Sequence, residues 1–131
     1  MRGRKPAVIV TGDLENLPTP PAWLSKEAKA EWRRVVPILI ERRILTDADL
    51  AVMAGYCSAV GEIAQASKII AVEGLTFEGK TGPKRHPAVG VRNEALAHMR
   101  QYAAELGLTP VSRSRPSVRD DDPANPDLGL E

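Results

Sequence analysis

One helical pattern dominates this chain and limits the folds open to it. Apolar residues recur on one helical face from Thr46 to Glu73 with no proline between them, and Gly74 supplies a common helix stop. A helix of this length spans about 40 Å, so it must cross most of a small domain. Gly55 and Gly61 lie in its interior and each costs about 1 kcal/mol relative to alanine. Close approach of another helix is the expected compensation, and a break near Gly61 is the alternative.

Two further helices are predicted beside this one. The first has Ser25 as its N-cap, and Pro37 inside its pattern is expected to kink or split it. The third begins at Pro87, a residue favoured at the first helical position, and ends at Gly107. The segment 75–86 is rich in glycine and lysine, which predicts a loop or a short hairpin.

These patterns predict an all-α fold, namely a small helical domain with a long central helix and a helical hairpin. Three parts follow: a basic, proline-rich N-terminal arm over 1–22, a helical core and oligomerisation domain over 23–107, and a flexible tail over 108–131, first basic and then acidic. The core has few aromatic residues, so a monomer would be marginally stable and self-assembly would bury more surface. The side chains assigned to the core or to subunit contacts are Trp32, Val36, Leu50 and Met53.

Two arginine-rich arms bracket the helical core and favour DNA binding. Residues 2–6 read Arg-Gly-Arg-Lys-Pro, and residues 112–116 read Ser-Arg-Ser-Arg-Pro. Guanidinium groups match phosphate geometry and can enter a narrow minor groove. Basic termini that serve only solubility are the alternative interpretation. The residues predicted to contact DNA are Arg2, Arg4, Lys5, Arg113 and Arg115 in the arms and Lys80, Lys84 and Arg85 in the segment between the second and third helices.

One short string imitates a nucleotide-binding loop. Residues 74–81, Gly-Leu-Thr-Phe-Glu-Gly-Lys-Thr, have the glycine and lysine spacing of a P-loop. A P-loop needs a buried strand before it and a helix after it, so that backbone N–H groups and the helix dipole meet the phosphate. Here a helix precedes the string and Gly82-Pro83 follows it, so we interpret it as a basic turn. No nucleophile, cysteine cluster or histidine spacing indicates catalysis, and we expect no enzyme activity, metal or cofactor.

The net charge of +1 conceals an uneven distribution. Six cations lie in the two arms, whereas five acids lie in the last twelve residues. We expect this acidic tail to contact protein rather than DNA, and a solubility tail is the alternative. No apolar run reaches the length of a membrane span and no leader pattern opens the sequence, so we expect a soluble protein of a reducing cytoplasm.

Seven short segments form a recognisable pattern through their order and spacing along the chain. They are Met1–Pro6, Pro21–Ser25, Ala28–Arg33, Leu45–Asp49, Asn93–Leu96, Leu106–Pro110 and Ser112–Arg115. Together they resemble the small subunits of tailed-phage terminases over most of residues 1–116. The resemblance implies a ring-forming subunit in the host bacterial cytoplasm that binds viral double-stranded DNA. It also implies that this subunit recruits or regulates a large subunit, which carries the ATPase and nuclease of genome packaging.

Two other functions stay open at this point. A helix-turn-helix transcription regulator would place two short helices around Ile44-Leu45, but the second helix is long and alanine-rich. Its start also lacks a base-reading face of arginine, asparagine and glutamine. A virion adaptor without DNA contacts is the other alternative. Co-purification with a large terminase subunit would distinguish the terminase function from both.

Overall fold

A computed structural model describes residues 16–110 of the chain. Its elements are α1 (Lys26–Glu41), a 3-10 turn (Asp47–Asp49), α2 (Leu50–Glu73), β1 (Thr76–Gly79), β2 (Gly82–Arg85) and α3 (Pro87–Glu105). The part described is therefore mostly helical. The prediction of an all-α fold is wrong in one element, because β1 and β2 pair as an antiparallel hairpin. Gly82, with φ 122, provides the positive backbone angle with which this tight reversal enters β2.

Local sequence signals set the start of α1. The Ser25 hydroxyl oxygen accepts a hydrogen bond from the Ala28 N–H at 3.2 Å, so the predicted N-cap is confirmed. Pro37 lies inside the helix and does not split it, although the Arg33 carbonyl loses its usual helical partner. Pro37 itself is exposed, and side chains before and after it along the helix are buried in the core, which keeps the helix in place. These side chains are Trp32, Val35, Val36 and Leu39.

The long central helix was predicted from Thr46 to Glu73; its predicted end is confirmed, whereas the α-helix itself begins at Leu50, after the 3-10 turn. At its start, the Thr46 N–H and hydroxyl both donate to the Asp49 carboxylate, at 3.0 and 2.9 Å. The Asp49 N–H donates in return to the Thr46 carbonyl oxygen at 2.9 Å. This reciprocal cap forms the 3-10 turn that leads into α2. At the other end, Gly74 adopts φ 88 and stops the helix.

The interior glycines of α2 admit close neighbours instead of breaking the helix. A β-carbon at Gly61 would lie 2.7 Å from the Ser25 hydroxyl oxygen of the α1 cap. A β-carbon at Gly55 would lie 2.6 Å from the Tyr102 ring of α3. Both distances are shorter than van der Waals contact allows, so α1 and α3 pack where they do because these positions lack side chains. The expectation of close helix approach is confirmed, and the alternative of a break near Gly61 is excluded.

Both outer helices run antiparallel to α2. Glu27, near the start of α1, bonds to Lys68, near the end of α2. Tyr102, near the end of α3, packs on Gly55, near the start of α2. The bundle therefore has two ends. The end that holds the C-terminus of α1, the N-terminus of α2 and the C-terminus of α3 is called the proximal end. The end that holds the opposite helix termini and the hairpin is called the distal end.

The hydrophobic core runs along the bundle and has its largest buried side chains toward the proximal end. Its largest fully buried side chains are Leu39, Leu45, Met53, Val36 and Cys57. Of the residues assigned to the core or to subunit contacts, Trp32, Val36 and Met53 are buried within one chain and Leu50 is partly buried against them. Burial raises the pKa of the Cys57 thiol to about 12, which fits a packing residue and not a nucleophile. At the distal end, several large apolar side chains stay exposed: Ile69, Val72, Leu75, Phe77 and Val91.

Candidate nucleic-acid interface

The arm residues predicted to contact DNA lie outside the described part of the chain. They are Arg2, Arg4, Lys5, Arg113 and Arg115. The structure does show where the two arms join the bundle. The Trp32 indole N–H donates to the Pro18 carbonyl oxygen at 2.9 Å, so the end of the N-terminal arm is bound to the middle of α1. Leu108, just before the C-terminal arm, packs against the core at the proximal end.

The hairpin cations do not form one surface. Lys80 lies in the exposed turn between the strands. In β2, Lys84 pairs with Phe77 and Arg85 pairs with Thr76, so the side chains of these consecutive residues point to opposite faces. The Arg85 guanidinium folds back toward α3, where a β-carbon at Gly90 would lie 3.4 Å from it. The two strand cations that the sequence placed together therefore lie on opposite faces of the hairpin.

The P-loop-like string folds in a way that separates its parts. Gly74 ends α2, the next residues form β1, and Lys80-Thr81 make the hairpin turn. An exposed two-residue turn between antiparallel strands has no helix N-terminus behind it to bind phosphate. The geometry agrees with the interpretation of this string as a basic turn.

His86 joins the hairpin to both neighbouring helices. Its Nδ1 accepts the Ala88 N–H at 3.0 Å and so caps α3, while its Nε2 lies 2.7 Å from the Glu73 carboxylate at the end of α2. The ring also meets Phe77 edge to face, with centroids 6.4 Å apart. An accepting Nδ1 places the proton on Nε2, which then donates to Glu73. His86 is thus a structural cap, a role that its predicted place in a loop did not suggest. Within residues 16–110, no group of three or more potential ligands could hold a metal ion.

The structure reveals a basic surface that the sequence-based selection missed. Lys26, Lys29 and Arg33 lie on one face of α1, at separations of three, four and seven residues. Lys26 and Arg33 are exposed and Lys29 is partly exposed. The salt bridges found in the described chain involve other cations, so these three have no acidic partner there. Their helical spacing was visible in the sequence, but the position of the face relative to the core was not.

The acids nearest to this basic face are already paired. Hydrogen bonding to Lys68 lowers the pKa of the Glu27 carboxyl. Arg34 donates two hydrogen bonds to Glu31, at 2.8 and 2.7 Å, and the Tyr56 hydroxyl donates a third at 2.6 Å. Partial burial opposes ionisation of Glu31, but these hydrogen bonds outweigh it and lower its pKa. Both carboxylates are ionised and already paired, so within residues 16–110 neither of them pairs with Lys26, Lys29 or Arg33.

Comparison with known families decides what kind of protein this is. A family model described as phage terminase, small subunit, matches residues 28–123. The chain belongs to this family. The match covers nearly all of the helical bundle of this terminase small subunit and the hairpin, and the family suspected from the order of its motifs is confirmed. The match begins after the N-terminal arm and the Pro21–Ser25 segment, and it extends into the acidic tail.

The comparisons with curated proteins and with solved structures found no further relative. Among the described helices, none is long and apolar enough to cross a membrane.

Proposed function

We propose that this terminase small subunit binds double-stranded viral DNA through its basic arms. We also propose that it assembles into a homo-oligomeric ring and that it recruits or regulates the large subunit in the host cytoplasm. The family match over the helical bundle carries the proposal. The fold supports it against a helix-turn-helix regulator, because α2 is 24 residues long and lies antiparallel to α1. Such a helix has no short recognition segment to enter a major groove.

The attachment of the arms supports a role in DNA binding. Pro18 is tied to the middle of α1, and the C-terminal arm leaves from the proximal end of the bundle. Two basic segments that start from a rigid body can reach along a duplex on both sides of it, and repetition in a ring multiplies their contacts. DNA binding of this kind is strongly salt-dependent.

Removal of the arms tests this part of the proposal. Deletion of residues 1–6, and separately the double change Arg113→Ala with Arg115→Ala, should weaken binding to a labelled duplex and flatten its salt dependence. Arg100→Ala, which removes an exposed cation of α3, is the control and should leave both quantities unchanged. Arm variants with wild-type affinity and salt slope would refute arm-mediated binding.

The distal end of the bundle supports self-assembly. A groove of about 460 Å³ lies between α2 and α3 and is lined mainly by apolar side chains, among them Ala66, Ile69, Pro87, Ala88 and Val91. Ile69 and Val91 are 42% and 48% exposed in the single chain. Contiguous exposed apolar surface of this kind marks protein contacts. If the groove meets a different surface of the next copy, rotation can close the assembly into a ring.

A charge placed in the groove tests this assignment. Ile69→Lys should lower the mass of the assembly measured by light scattering, because a desolvated lysine opposes burial of the groove. Ala51→Lys adds the same charge at an exposed position near the start of α2 and should leave the mass unchanged. An unaltered assembly in the Ile69 variant would exclude this groove as a subunit contact.

The acidic tail is the segment that we propose for docking on the large subunit. Asp120, Asp121 and Asp122 would repel phosphate and suit a basic protein surface. Truncation after Arg119 should abolish co-purification with the large subunit and leave DNA affinity little changed. Tighter DNA binding at low salt would instead mean that the tail shields the neighbouring arginines. If neither quantity moves, the tail serves solubility only.

A further inference from the structure

We infer that the outer face of α1, formed by Lys26, Lys29 and Arg33, binds the phosphate backbone of duplex DNA. The inference rests on the proposed DNA-binding function and adds to it a surface of the folded bundle. The α1 face lies outside both arms and on a different element from the hairpin cations.

The arrangement of charges on α1 is unfavourable for the helix itself. Lys29 lies three residues after Lys26 and four residues before Arg33, so like charges are neighbours on the helix surface. Such pairs destabilise a helix by a few tenths of a kcal/mol each. The acids that neighbour them on α1, Glu27 and Glu31, bond instead to Arg34 and Lys68: Glu31 to Arg34 and Glu27 to Lys68. An external anion would relieve this repulsion.

The spacing of the α1 face suits a nucleic-acid backbone. Seven residues separate Lys26 from Arg33, a distance of about 10 Å along the helix. One strand of duplex DNA carries a phosphate for about every 3.4 Å of axial rise, so the face covers about three phosphates. Flexible lysine and arginine side chains can adapt to a backbone of this kind without reading its sequence.

The α1 face is continuous with the base of the N-terminal arm. Arg33 and Pro37 line the same shallow groove as Leu17 and Pro18, and the Trp32–Pro18 hydrogen bond holds the chain there. The segment 16–25, which leads along α1, carries no charged residue. The arm that contains Arg2, Arg4 and Lys5 therefore starts beside Arg33. A duplex lying on α1 could be held by the face and the arm together.

The test compares two sets of three charges at different places on the full-length protein. One variant carries Lys26→Gln, Lys29→Gln and Arg33→Gln, and its matched control carries Arg42→Gln, Arg43→Gln and Arg100→Gln, three exposed cations that belong neither to the α1 face nor to the residues predicted to contact DNA. Affinity for a labelled linear duplex of mixed sequence is measured over a range of salt concentrations. The α1 variant should reduce the slope of log affinity against log salt by about 2 to 3, since each phosphate contact contributes about 0.9. The control variant should change this slope by less than the contribution of one phosphate contact.

The outcomes separate this inference from the proposed function. If the α1 variant keeps the wild-type slope while deletion of the arm lowers it, the α1 face is refuted and arm-mediated binding survives. A larger loss in the control variant would also refute the α1 face. Failure of the wild-type protein to bind duplex DNA would refute both proposals.

A charge reversal distinguishes binding from folding. Lys29→Glu places an acid between Lys26 and Arg33, where it forms favourable pairs along the helix. Thermal unfolding of this variant should occur at or above the wild-type temperature, whereas its affinity for DNA should fall at least tenfold. A variant that loses both stability and affinity would contradict a direct role of this face in binding, and the triple Gln variant then provides the independent measurement.

Discussion

The two ends of the helical bundle differ in how far their large apolar side chains are buried. At the proximal end, Leu39, Leu45 and Met53 are fully buried and the end of α3 completes the enclosure. At the distal end, α2 continues beyond the start of α1 and ends in a hairpin, and Val72 is 85% exposed. The proximal end therefore holds the largest buried side chains of the single chain. The distal end leaves more of its large apolar side chains exposed.

The largest difference between the ends should appear when buried and exposed apolar residues are truncated. Leu39→Ala should lower the free energy of unfolding by about 2–5 kcal/mol, because it removes buried methyl groups and leaves a cavity. Val72→Ala should change it by less than about 0.5 kcal/mol. Chemical denaturation at one fixed protein concentration measures both, since assembly makes stability concentration-dependent. Equal losses would mean that the distal end is also buried in solution.

Glycine substitutions should sharpen the comparison at the level of helix packing. Gly61→Ala places a β-carbon against the Ser25 cap and should cost about 1–3 kcal/mol through forced separation of α1 from α2. Gly90→Ala, near the distal end of α3, meets only the Arg85 guanidinium at 3.4 Å. It should be neutral or stabilise the protein by up to about 1 kcal/mol. Thermal denaturation measures both variants, and a Gly90→Ala variant less stable than the Gly61→Ala variant would contradict this prediction.

The carboxylate of Glu31 should make part of the stability depend on pH. Its pKa in the folded chain lies below the ordinary value of 4.5, so its contribution is present above that pH and is lost as the pH falls through the folded pKa. Glu31→Gln should therefore be less stable than the wild type at neutral pH, by about 1 kcal/mol, and the difference should shrink in acid. Denaturation at neutral and acidic pH measures this. A difference that grows in acid would be inconsistent with the network of Glu31, Arg34 and Tyr56.

The smallest expected effect concerns the hairpin turn. Lys80→Ala should change no ATPase activity, because we expect the purified small subunit to have none. The exposed turn provides no helix N-terminus for a nucleotide phosphate. A phosphate-release measurement on the wild type and the variant checks this. ATP hydrolysis by the wild type that disappears in the Lys80 variant would overturn the interpretation of residues 74–81.

The sequence by itself determined the features that depend on a few neighbouring residues. The Ser25 cap, the Thr46–Asp49 reciprocal cap, the stop at Gly74 and the start of α3 at Pro87 all occur where their residue types predict them. Each depends on backbone geometry within about one helical turn, so no distant contact is needed to specify it. The family could also be recognised, since motif order is a property of the sequence.

Only the tertiary structure decided which functional side chains share a surface. Pro37 was expected to kink or split α1, and it does not split it, because buried contacts on both sides keep the helix continuous. Lys84 and Arg85 are adjacent in sequence yet lie on opposite faces of the hairpin, because side chains alternate along a strand. Lys26, Lys29 and Arg33 form a basic face without an acidic partner among residues 16–110, because Lys68 and Arg34 pair with the neighbouring acids and Lys68 comes from another helix. Charge pairing across elements depends on how the helices pack, and local sequence does not specify that packing.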